Sequence, residues 1–161
     1  MAVTLQDLFL DSRGGPVECD GRTVMQLDRV KTPDGSELQI AFLGNKPFRD
    51  NAAVIAIDKP GAILLSDGSR VTAVAIWDDP GLPRIVRHRL ASSGQPLMVY
   101  HKYRTRHAPD FVIEDSFTGN AGMIATQLSP SCKRYECSNG PGDFTPDDLV
   151  FELSWTSRDE G

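Results

Sequence analysis

The chain has 161 residues, 40% of them hydrophobic and 24% charged, with 17 Lys and Arg against 22 Asp and Glu and a net charge of −5. That length suits one domain spanning 1–161, burying roughly 70% of the surface its unfolded chain would expose. The composition excludes collagen-like and disordered classes, and the longest apolar runs, 52–57 and 73–77, are far shorter than the ~20 residues of a membrane helix, so no membrane span is expected.

Residues 1–15 predict a short helix and turn, with Thr4 as cap, Asp7 at the reciprocal third position, Val3 placed to staple onto Leu8, and Arg13-Gly14-Gly15 as the stop. After Pro16 the pattern becomes short runs between turns. Runs 23–30 and 37–43 come first, the second with Leu38, Ile40 and Phe42 alternating, and the Pro33-Asp34-Gly35 between them predicts a hairpin. A second hairpin is expected where Asp67-Gly68-Ser69 joins 62–65 to 70–77. The shared Asp-Gly-Ser turn does not require duplication, because such turns demand positive φ wherever they occur.

Further runs are 85–91, 97–105, 111–117, 123–128 and 133–137. Thr145 with Pro146, Asp147 and Asp148 predicts a capped single helical turn, with Phe144 packing on Leu149. Leu149, Phe151, Leu153 and Trp155 then alternate with polar positions as a half-buried antiparallel strand requires, and 156–161 reads as a polar tail. The expected fold is all-β, an antiparallel β-sandwich of jelly-roll type or a distorted barrel, with a short N-terminal helix.

The N-terminus shows neither a basic region nor a long apolar stretch, and three cysteines cannot all pair within the chain, so a cytoplasmic protein with reduced thiols is the expectation. Cys132 and Cys137, five apart on one strand, would lie about 17 Å from each other.

Charge is the least ordinary property. Residues 80–109 hold all three histidines and six of the 17 cations without a single Asp or Glu. A period of two places Met98, Tyr100, Lys102, Arg104 and Arg106 on one face of the 97–107 strand, and His101, Tyr103 and His107 on the other. Pairing with the preceding strand as a hairpin would add Arg84, Arg87 and Arg89 and gather six cations. Such a face suits a small anion or an acidic partner protein, since arginine supplies paired donors. The alternative is internal compensation by Asp78, Asp79, Asp110, Glu114 and Asp115. The overall acidity argues against nucleic acid as a partner.

The metal-binding and catalytic signals are weak. His101, His107, Cys132 and Cys137 lack the spacing of zinc sites. Asp115, Asn120, Asn139, Asp143, Asp147 and Asp148 supply oxygen donors for calcium, but such residues also populate turns for their own hydrogen bonds, so no cofactor is expected. Cys137, Ser116 and Ser131 are conceivable nucleophiles, yet none stands in a nucleophile-elbow motif and no Gly-rich phosphate loop is present. Segments 114–122 and 135–143 have the dense mixture of small, polar and aromatic residues found in binding loops, and Asn120 and Asn139 are their candidate contacts.

The sequence therefore points to a non-catalytic module binding a partner protein or a small anionic or sugar ligand through Tyr100, Lys102, Arg104, Arg106, Arg87, Arg89, Asn120 and Asn139. The alternatives are a small hydrolase using carboxylates and histidine or a bound metal, and a structural subunit that would show an exposed edge strand. Oligomeric state is left open.

Overall fold

The computed structural model describes residues 3–44 and 50–156, so the polar tail expected at 156–161 lies, beyond Thr156, outside the described residues. The helix α1 (Leu5–Asp11) begins as its sequence dictates: the Thr4 hydroxyl accepts the Asp7 N–H at 3.3 Å and the Asp7 carboxylate accepts the Thr4 N–H at 3.1 Å. Val3 is 68% exposed, so the capping box rather than a staple onto Leu8 fixes the start. The inner face of α1 presents Leu5 and Phe9 to Val24, with Leu8 and Phe144 around them. Phe144 thus packs under the helix instead of on Leu149, and 145–148 forms a turn rather than a helical turn, its Asp148 N–H donating to the Thr145 carbonyl.

All other regular structure among the described residues is strand. The run expected at 23–30 divides between β2 (Arg22–Val24), paired with β1 (Val17–Cys19), and β3 (Asp28–Val30). Then come β4 (Glu37–Leu43), β5 (Asn51–Ile57), β6 (Ala62–Leu64), β7 (Arg70–Val71), β8 (Ala73–Trp77), β9 (Ile85–Ala91), β10 (Leu97–Ala108), β11 (Phe111–Asp115), β12 (Gly122–Ser129), β13 (Cys132–Ser138) and β14 (Leu149–Thr156). One antiparallel sheet runs β12-β13-β14-β4-β9-β6-β7. The other runs β11-β10-β5-β8, with β3 beside β11 along the same edge of β10.

The two sheets face each other as a sandwich, and neither closes into a barrel among the described residues. One side of the core is Leu38, Ile40, Phe42, Phe151, Leu153 and Trp155, alternating along β4 and β14; the other is Ala53, Ile55, Ile57, Leu97 and Val99 from β5 and β10. Strand β5 is buried on both faces, which removes the alternation that would have marked it as a strand.

Two expected hairpins are not formed. Strands β3 and β4 join different sheets, because the Pro33-Asp34-Gly35 turn docks on the end of β9: the Asp34 carboxylate accepts the Ser92 N–H at 2.7 Å, and the Gly35 N–H donates to the Leu90 carbonyl. Main-chain bonds from Ser92 and Ser93 also hold the Asp34 carboxyl below its usual pKa. Likewise β9 pairs with β4 and β6, while β10 pairs with β5, β3 and β11. The segment 92–96 crosses between sheets. The hairpin expected at Asp67-Gly68-Ser69 does form, as β6 with β7, before the chain passes at Thr72 into β8 of the opposite sheet.

Candidate functional site

The separation of β9 from β10 divides the cations into two groups on opposite outer faces. Tyr100, Lys102, Arg104 and Arg106 lie on the face of β10 turned away from the core, as the period of two requires, whereas Arg87 and Arg89 project from β9 on the far side of the sandwich.

On the β10 face the two arginines are compensated. One terminal nitrogen of Arg104 donates to both Asp79 oxygens at 2.9 and 3.2 Å, with Asp50 and Glu114 within 4.0 Å, and its guanidinium carbon lies 3.6 Å from the Trp77 ring centroid. Arg106 meets Asp50 through two parallel bonds of 2.9 and 3.2 Å. Asp50 raises the Arg106 pKa further through those bonds and its charge. Tyr100 leans on Phe117 at 5.1 Å between ring centroids. Lys102 alone of this set has no carboxylate partner among the described residues. The acids at 79 and 114 were visible as flanking residues in the sequence; Asp50 was not, because it reaches the arginines from the start of β5.

On the β9 face the balance is different. Arg87, His88 and Arg89 line an open groove of about 500 Å³ together with Arg70, Glu37, Leu64, Leu65, Ser66 and Gly68. The register Arg70↔Leu64↔Arg89↔Glu37 across β7, β6, β9 and β4 lays two guanidiniums in one row on the outer surface. Glu37 is the groove's one carboxylate and sits 3.9 Å from Arg87, both well exposed, a weak pair that leaves the site cationic. Burial lowers the pKa of His88, whose Nδ1 has no hydrogen-bond partner. Arg70 was missed in the sequence because it stands outside the acid-free window; the signal that places it here is the Asp67-Gly68-Ser69 turn, which folds β7 back onto β6.

Asn120 and Asn139 do come to one end of the sandwich, where the Asn120 amide is occupied with building it and the buried Asn139 Oδ1 has no hydrogen-bond partner among the described residues. Asn120 Oδ1 accepts the Leu5 N–H at 3.1 Å and its Nδ2 donates to the Gly142 carbonyl at 2.7 Å, binding α1 to the 139–143 loop. The Asn139 N–H donates to Asp148 at 2.9 Å. Among the described residues no cluster of three or more His, Cys, Asp or Glu is arranged to hold a metal ion.

The candidate nucleophile and base lie inside. His101 is 98% buried, its Nε2 2.8 Å from the Ser138 carbonyl, and burial pushes its pKa down to about 4. Cys137 is fully buried on β13 of the opposite sheet, and desolvation holds its thiol well above the ordinary range. Tyr103 bonds to the Thr118 hydroxyl, and Asn51 donates to the Asp148 carbonyl at 3.3 Å, so the inner ends of β5 and β10 carry a polar layer beneath the Asn120 and Asn139 loops. Neither His101 nor Cys137 lines the groove or either of the other two cavities described, one beside Pro60 and one beside α1. All three cysteines are free thiols.

Comparison with protein-family models, with curated proteins and with solved structures gives no match to this chain.

Proposed function

We propose that the chain is a non-catalytic binding module for a small anionic ligand, seated in the groove of Arg70, Arg87 and Arg89. The observation that carries this reading is the charge of that groove: three exposed or half-exposed guanidiniums and one carboxylate share one concave surface of an otherwise acidic protein. Guanidinium groups match phosphate, sulfate and carboxylate oxygens with paired donors. A neutral sugar is favoured less, because tyrosine, phenylalanine and tryptophan are absent from the lining. The β10 face is the poorer candidate, since Asp50 and Asp79 already take its arginines.

A hydrolase would need an accessible base and nucleophile converging in one pocket. His101 and Cys137 are instead sealed in the core with pKa values shifted to keep both neutral.

Titration with pyrophosphate by calorimetry tests the reading. Binding is expected at low ionic strength, weakening as salt rises. The double variant Arg87→Glu, Arg89→Glu should weaken it by at least about tenfold, since each lost charge-assisted bond contributes about 1.5–3 kcal/mol, while Arg106→Glu should leave it unchanged. Equal effects of the two variants, or no binding at low salt, would sink the proposal.

A further inference from the structure

Strand β9 outruns its neighbour. Residues Ala62 to Leu64 of β6 pair only with Arg89 to Ala91, so Ile85 to His88 have no strand on that side among the described residues. On the other side the Leu90 N–H donates to the Ser36 carbonyl and the Phe42 N–H to the Arg84 carbonyl, each at 2.9 Å. Antiparallel bonding alternates along a strand, so Val86 and His88 also direct their N–H and C=O groups to β4, while Ile85 and Arg87 direct theirs to the open side. The groove of Arg70, Arg87 and Arg89 lies in that lane, which β6 vacates when the chain turns back through Asp67-Gly68-Ser69.

The side chains around the lane are sorted by face. Arg87, Arg89 and the 48% exposed Ile85 stand on the outer face of β9, whereas Val86 and Leu65 pack against the core. Arg70 and Arg89 have no carboxylate partner among the described residues. Charge disfavours a second copy of this chain as the occupant, because its own β9 edge would set arginine against arginine.

We infer that the lane takes an extended acidic peptide as an added strand, antiparallel to β9 as β6 is. The inference rests on the reading of the groove as an anion site and assigns the anion to a peptide carboxylate. Main-chain bonds to Ile85 and Arg87 give the peptide its register. A peptide residue opposite Arg87 follows Leu64 by two places in the lane, and Leu64 pairs with both Arg89 and Arg70. An acid there faces Arg87 directly and the other two arginines diagonally, at about 7–8 Å between strands, a distance long side chains span. The next residue of the peptide turns inward over Val86, and the one after it meets the exposed Ile85, so the fitting sequence is acid, apolar, apolar.

Titration of the full chain with acetyl-Ser-Glu-Val-Ile-Ser-amide, followed by amide resonances and calorimetry, tests it. The peptide is expected to bind, to shift the Ile85 and Arg87 amides and to be displaced by pyrophosphate. Methylating the peptide nitrogens of Glu and Ile, which face β9, should weaken binding at least about tenfold through two lost main-chain bonds; methylating the nitrogen of Val, which faces away, should leave it unchanged. Arg87→Glu, Arg89→Glu should weaken both ligands and Arg106→Glu neither. Pyrophosphate binding without peptide binding would overturn this inference alone, and equal binding of the differently methylated peptides would overturn it as well, because attraction between side chains would then suffice. Failure of both ligands at low salt would remove the anion site itself.

Discussion

Arg104 lies flat over Trp77, 3.6 Å from the ring centroid, while one of its terminal nitrogens donates to both oxygens of Asp79. The tryptophan comes from the edge strand β8, two strands away across β5, so the guanidinium ties the outer surface of three strands together. Arg104→Lys keeps the charge but loses the planar stack and the paired donation. Chemical denaturation should show it destabilised by about 1–2 kcal/mol, with Arg104→Glu worse because it sets a fourth acid beside Asp50, Asp79 and Glu114. A neutral Arg104→Lys substitution would show that the contact is ornamental surface pairing.

Between Asp28 and Tyr135 there is a second tie, this one across the sandwich. Asp28 Oδ2 accepts Lys133 Nζ at 2.6 Å and the Tyr135 hydroxyl at 2.7 Å, joining β3 of one sheet to β13 of the other. Both ionic side chains are less than a fifth exposed, and burial together with the adjacent carboxylate raises the Tyr135 pKa strongly. Asp28→Asn leaves a largely buried ammonium without its counter-charge and should cost about 3 kcal/mol. The double variant Asp28→Leu, Lys133→Met removes both charges and should recover most of that loss. If the double variant is no more stable than the single, the cost lies in something other than the stranded charge.

How far the sequence revealed this architecture depended on which faces were covered. Strands β4, β14 and β10 each have one face on the core and one outside, so Leu38/Ile40/Phe42, Leu149 to Trp155 and Leu97 to Tyr103 showed their alternation directly. Strand β5 has neighbours over both faces and showed only an apolar run. Pairing was hidden for a different reason. The Asp34 turn and the 92–96 connection look like hairpin loops locally, but what decides them is Asp34 reaching Ser92, 58 residues away, which no local spacing records. The cations at 104 and 106 were found on the right face, yet their state depended on Asp50, which pairing across β5 delivers. Arg70 reached the groove through the same kind of non-local pairing.

Gly140 is required by space rather than by backbone angle. A Cβ there would overlap the Tyr103 hydroxyl and lie 2.7 Å from the Thr118 carbonyl oxygen, where main chain cannot yield cheaply. Gly68 is the contrasting case, with φ of +88° and nothing within 4 Å of the added carbon. Gly68→Ala should therefore cost about 1 kcal/mol through φ alone, and Gly140→Ala about 2–4 kcal/mol through displacement of the polar layer. Tyr103→Phe in the Gly140→Ala background should restore part of the stability, since the hydroxyl is the nearest obstacle. Thermal melts that rank Gly68→Ala as the more damaging change would contradict this account.

His101 makes the stability of the fold fall in mild acid. An unfolded histidine titrates near its ordinary value of 6.5, while the folded imidazole, 98% buried, is held to about 4 by desolvation that the Ser138 contact and the charge of Asp148 only partly oppose. Between those two values the unfolded chain binds a proton that the folded chain refuses. Stability from this group is thus fully present above about pH 6.5, declines as pH falls through the window, and levels off below about pH 4. The span corresponds to roughly 3 kcal/mol at 1.36 kcal/mol per pH unit. Urea midpoints at pH 7.5 and pH 4.5 should differ by most of that amount in the native chain. In His101→Gln, whose amide retains a donor for the Ser138 carbonyl and cannot titrate, the difference should shrink to what the carboxylates contribute; an unchanged pH dependence would assign the acid sensitivity to other groups.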